Sequence, residues 1–149
     1  MGSLVYLVFE VRRNTRTAQG AAAAQSNEAF ASINRMIVEQ PALASLTKMA
    51  MDVRCDTNRL SDDEKDRLIF LFRMVFQQFE AQYFLYKSGV LPKELWEIRR
   101  GWAHSFLILP AWKEWWAVER QTPGYTPAFI ENVLSAPIYE LQDYTNFPE

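Results

Sequence analysis

A few side chains in this chain are of types, and at spacings, that could do chemistry. Cys55 is the only thiol and His104 the only imidazole. Together they could form a nucleophile–base dyad, because residues distant in sequence can meet in a fold. Arg54, next to Cys55, would favour the thiolate. No other feature of the sequence supports that dyad. Arg73, Gln77 and Glu80 follow one another at i, i+4 and i+7. On a helix they share a face, where Glu80 could bind a ligand in a groove. The expected role of such a line is a solvated seam or a structural pair with a neighbouring helix. Arg100 and His104 are i and i+4 neighbours and could together hold an anion, although a single His beside exposed arginines is ordinarily a surface residue.

Whole classes of chemistry are excluded. A single His rules out metal motifs built on a His pair, and a single Cys rules out an internal disulfide framework. The sequence contains no Gly-rich phosphate loop, no Gly-x-Ser-x-Gly elbow and no His-Glu-x-x-His. No catalytic residue, metal or cofactor is therefore expected, and a non-enzymatic role is favoured. The net charge is −2, so no general basic field points to nucleic acid. Trp112, Trp115 and Trp116 share a helix face that could stack on bases or sugars. Only Lys113 and Arg120 lie nearby, however, and core packing is the expected role.

The elements that must position these residues are all helical. Five glycines in 149 residues, with no Asn-Gly or Asp-Gly turn, leave little room for hairpins. Pro41, Pro92, Pro110 and Pro127 each stand where a helical pattern begins, the place where a missing N–H costs least. Ser61-Asp62-Asp63-Glu64 reads as a capping box, and Gly89 as a left-handed stop. The expected helices are Leu4 to about Glu39 (with Gly20 a point where it could break), Pro41 to about Asp52, and Asp62 to Ser88. Three more follow, from Pro92 to about Leu109, Pro110 to about Arg120, and Pro127 to about Ser135, the last capped by Thr126. The third helix is apolar on several sides and should be the centre of the core. The fold expected is an irregular bundle of about five or six helices around this long central one, preceded by a long N-terminal helix. That divides the chain into an N-terminal helix (1–40), a globular helical domain (41–136) and a tail (137–149) with a short helical turn. Ten Phe, six Tyr and five Trp supply enough apolar surface for such a core.

The amino terminus is distinctive. Leu4, Val5, Tyr6, Leu7, Val8 and Phe9 form an apolar run, and Arg12, Arg13 and Arg16 follow. Apolar residues edged by a Tyr and then arginines suit the interfacial end of a membrane helix. The run alone is too short to cross, since crossing takes about 20 apolar residues. It lacks the basic start and cleavage site of a signal peptide. A helix docked on the core would fit the same residues.

The same segment, Leu4-Val5-Tyr6-Leu7 with Arg13-Asn14-Thr15-Arg16, resembles one found in a family of small bacterial inner-membrane proteins of unknown function. In that family an N-terminal membrane helix ends in an Arg-x-Asn-Thr-Arg element and leads into a helical cytoplasmic domain. The resemblance continues through Gln40-Pro41-Ala42-Leu43, Leu60-Ser61-Asp62-Asp63-Glu64, Phe79-Glu80-Ala81-Gln82-Tyr83, Glu94-Leu95-Trp96, Trp115-Trp116 and Tyr125-Thr126-Pro127. It implies a single-pass protein of the bacterial inner membrane whose globular part faces the cytoplasm, with the run at Leu4 as the cytoplasmic end of the membrane helix. If that helix only docks on the core, the protein would be cytoplasmic. The resemblance brings no catalytic residues. The function expected is a membrane-tethered domain that binds a protein partner or a second copy of itself. The competing expectation is a small-ligand or enzymatic site between the central helices, built from Arg73, Glu80, Arg100 and His104.

Overall fold

The computed structural model describes residues 2–140, with side chains from Val5 onward. Among them are six α-helices and no strand: α1 (Gly2–Glu39), α2 (Pro41–Ala50), α3 (Asp62–Lys87), α4 (Lys93–Leu107), α5 (Pro110–Glu119) and α6 (Pro127–Leu134). A short 3-10 turn, Thr57–Arg59, lies in the α2–α3 connection.

The helix boundaries follow local chemistry. Ser61 Oγ accepts a hydrogen bond from the Glu64 amide, and the Glu64 carboxylate accepts one from the Ser61 amide at 2.8 Å. This reciprocal pair satisfies donors that the first turn of α3 would otherwise leave open. The other end of α3 stops at Gly89, whose φ of 76° is costly for any residue with a Cβ. Pro41, Pro110 and Pro127 occupy first-turn positions, while Pro92 sits just before α4.

Two expectations need correction. Gly20 does not interrupt α1, which is continuous over 38 residues, about 57 Å at 1.5 Å per residue. The alanines from Ala21 to Ala24 are the best helix formers available and offset the roughly 1 kcal/mol that one Gly costs. The tail forms no helical turn at 137–140, and residues 141–149 lie outside the described ones. Instead the segment lies against α4. The Tyr139 amide donates to Ser105 Oγ at 2.7 Å, and Ser105 Oγ donates to the Gly101 carbonyl. A Cβ on residue 101 would stand 2.4 Å from the Tyr139 ring, so Gly101 makes room for this strap.

The core is aromatic and centred on α3. Phe76 is fully buried, and its ring meets those of Phe79, Trp115, Trp116, Tyr125 and Phe129 at centroid distances of 5.2–6.1 Å. Phe72 stacks on Trp112 at 3.9 Å. All three tryptophans of α5 are buried, which gives them to the core. Helices α1 and α3 run antiparallel, as the Gln19–Gly89 hydrogen bond and the Phe30–Phe79 ring contact show. From Ala22 to Ile37, α1 packs with the body; Ile33 is buried, and Phe30, Met36 and Ile37 pack against the core.

Candidate functional site

Three of the residues singled out by sequence, Glu80, Arg100 and His104, hold α6 in place. Glu80 projects from α3 to the start of α6, where its Oε1 accepts from the Thr126 amide at 2.7 Å and from Thr126 Oγ1 at 3.0 Å. A carboxylate there sits at the positive end of the helix dipole. The expectation that Thr126 caps α6 is therefore corrected: its hydroxyl makes no cap bond and donates to Glu80 instead. The other end of α6 is met by α4. Arg100 Nη1 donates to the Asn132 carbonyl at 3.0 Å, and its Nε is bonded to Glu97. His104 Nδ1 lies 2.7 Å from the Ala136 carbonyl, to which it donates. Cationic and donor groups at a helix carboxyl end satisfy carbonyls with no intrahelical partner. Between the two ends, Phe129 and Val133 are buried, and Trp96 Nε1 donates to Asn132 Oδ1.

Arg73 has a different partner. Its Nε and Nη2 grip Glu119 of α5 at 2.9–3.1 Å. The Glu119 carboxylate raises the already high pKa of the Arg73 guanidinium, chiefly through these hydrogen bonds. Tyr125 lies beside this pair; burial first, then Glu119 and Glu80, pushes its phenol well above the usual range. Gln77 is exposed and takes no part.

The structure thus separates the sequence-predicted residues into two groups. Arg73 and Glu80 face α5 and the start of α6, whereas Arg100 and His104 face its end. Arg73 alone of the four lines the groove of about 210 Å³ between α3 and α5, together with Lys65, Phe72, Trp115 and Val118. Cys55 and His104 face different surroundings. Burial pushes the Cys55 thiol up, reinforced by Asp52, Asp56 and Glu114, so its surroundings on balance disfavour the thiolate that Arg54 was expected to promote. Arg54 binds Asp52 instead, at 3.0 Å, and holds that carboxyl below its usual range. Among the described residues, no group of three His, Cys, Asp or Glu could hold a metal ion.

Two features escaped sequence reading. Arg99 on α4 ties down α1: its Nη2 donates to Asn27 Oδ1 at 2.7 Å, and its guanidinium sits 4.8 Å from the Phe30 ring centre. Gln82 of α3 and Ser26 of α1 are buried, and no protein group bonds their side-chain polar atoms. Nothing in either local sequence marks these residues as interior.

The amino-terminal half of α1 stands apart from these contacts. Val5 is 58% exposed, Leu7 62% and Phe9 68%, with Tyr6, Val8 and Val11 similarly uncovered. Arg12, Arg13 and Arg16 are exposed just beyond them, and Arg13 pairs with Glu10 at 2.5 Å. No described helix is long and apolar enough to cross a membrane. No family model, curated protein or solved structure matches the chain.

Proposed function

We propose that this protein is a non-enzymatic helical domain held at a membrane by the amino-terminal end of α1. The membrane we assign is the bacterial inner membrane, with the body on its cytoplasmic side and a protein partner or second copy as the object of binding. The observation that carries the reading is the uncovered apolar end of α1, on a helix whose second half is docked. An apolar helix end in water is a poor final state, and a bilayer or a partner relieves it. Leu4 to Val11 extends about 12 Å of the roughly 30 Å hydrocarbon core, which fits the cytoplasmic end of a membrane helix. The arginines at 12, 13 and 16 would then meet lipid phosphates, and Arg on the cytoplasmic flank is the usual orientation. An unpaired Cys55 suits that compartment.

The non-enzymatic part is supported by where the polar groups go. Glu80, Arg100 and His104 support α6, and Arg73 is engaged with Glu119. The competing ligand-site reading would need these groups around one cavity, and only Arg73 lines the α3–α5 groove.

The test compares the full chain with one lacking residues 1–13 for binding to vesicles containing anionic phospholipid. The full chain should co-sediment, and the shortened one should stay in solution, folded, with a helical circular dichroism signal lowered only by the helical residues removed. Continued binding, or an unfolded shortened chain, would overturn the proposal.

A further inference from the structure

The exposed face of α3 carries a second pattern, independent of α1. Phe70, Met74, Gln77, Ala81 and Phe84 follow one another at alternating steps of four and three, the spacing of a coiled-coil seam. All five are solvent-facing: Phe70 is 65% exposed, Met74 37% and Phe84 50%, with Gln77 and Ala81 also exposed. Phenylalanines at both ends of an uncovered stripe on the central helix have no role in the core described above.

We propose that this stripe is the contact between two copies of the chain, with the two α3 helices antiparallel about a two-fold axis at Gln77. The stripe is self-complementary in that orientation, pairing about its centre. Phe70 meets Phe84 of the second copy, and the long Met74 lies against the small Ala81. Gln77 meets itself, and because an amide both donates and accepts, the pair can bond reciprocally. The flanking line supplies the charge argument. Asp66, Arg73, Glu80 and Lys87 recur every seven residues with alternating sign. The antiparallel arrangement sets Asp66 against Lys87 and Arg73 against Glu80, whereas a parallel one sets this line against the opposite flank of Leu71, Gln78 and Leu85, which carries no charge. Arg73 and Glu80 each keep an open atom for this, since Nη1 and Oε2 are not used in the bonds to Glu119 and Thr126. An unrelated partner would impose no such two-fold order. The seam is short, about 21 Å from Phe70 to Phe84. Stable interfaces bury roughly 1,200–2,000 Å². The dimer is therefore a weak one, favoured where the chain is concentrated.

Sedimentation of the full chain tests this, in a Leu7→Lys/Phe9→Lys background that removes the apolar end of α1. The background protein should still dimerise with rising concentration, and adding Phe70→Ser/Phe84→Ser should leave a folded monomer. Lys87→Glu should weaken the dimer by about fivefold, since two like-charge contacts replace two opposite ones. Asp66→Lys/Lys87→Glu should restore it. With Cys55→Ser, oxidised Gln77→Cys should form a disulfide-linked dimer and Phe70→Cys should not. A monomer at every concentration, a dimer indifferent to Phe70 and Phe84, Lys87→Glu without effect or without rescue, or equal cross-linking at 70 and 77 would each overturn the proposal. None of these outcomes bears on vesicle binding through α1.

Discussion

Phe76→Ala and Phe70→Ala remove the same ring from the same helix, six residues apart, and should differ sharply in cost. Phe76 is 0% exposed and Phe70 is 65% exposed. Both changes alter helix propensity equally, so the difference reports burial. Losing a fully buried Phe forfeits about 2–3 kcal/mol of transfer free energy. The aromatic cage formed by Phe79, Trp115, Trp116, Tyr125 and Phe129 cannot close fully on an alanine. A residual cavity of about 80 Å³ adds about 2 kcal/mol, bringing the total to about 4 kcal/mol. Phe70→Ala should stay within about 0.5 kcal/mol when measured on the monomer. Urea denaturation followed by tryptophan fluorescence measures both, and Phe76→Ala should also lower Tm by roughly 8–16 °C. If the two variants lose equal stability, or Phe76→Ala loses less than about 1 kcal/mol, then α3 is not the centre of the core.

Three further outcomes follow from the structure. Ser61→Ala should cost about 1 kcal/mol in the same assay. Hydrogen bonds from Ser61 hold the Glu64 carboxyl below its usual range. The stability contributed by Glu64 is thus present above the unfolded carboxylate pKa and fades as pH falls through the folded value. The share of the Ser61→Ala penalty owed to the hydroxyl–carboxylate bond should fade with it, and a pH-independent penalty would show that this bond contributes nothing, since the Ser61 amide still reaches Glu64 in the variant. Cys55, with its thiol pushed up by burial and neighbouring acids, should react with iodoacetamide at neutral pH more slowly than a model thiol peptide, and equal or faster reaction would contradict that environment. Gln82→Met keeps the side-chain length but removes a buried amide with no protein partner, and should raise stability by about 1 kcal/mol, whereas a loss would mean the amide is bonded in solution.

Sequence reading recovered the helices because their ends are written locally. Ser61 with Glu64, Gly89, and the prolines at 41, 110 and 127 each act within one turn of their own position. The tryptophan face of α5 was legible for the same reason, since three rings on one side of a helix need cover. What was not legible is which faces meet. Glu80 and Thr126 are 46 positions apart, as are Arg73 and Glu119, and only the packing of α3, α5 and α6 brings them together. The i, i+4 pair Arg100 and His104 was correctly placed on one face, but that face meets the carboxyl end of α6. The strap at Tyr139 was missed because its cause is a space at Gly101, a feature of α4 that short-range pattern does not connect to the tail.

The proposed tether is the amino-terminal end of α1, and depth-dependent quenching reads its position in the bilayer directly. A fluorophore is attached at Val8→Cys in a Cys55→Ser chain, with a second label at Ser32→Cys, an exposed position on the docked half of the helix. Both are mixed with anionic vesicles carrying a quencher on the acyl chains. The label at 8 should be quenched strongly and the label at 32 should not. Equal quenching at both positions, or none at position 8 while the protein is bound, would contradict the tether.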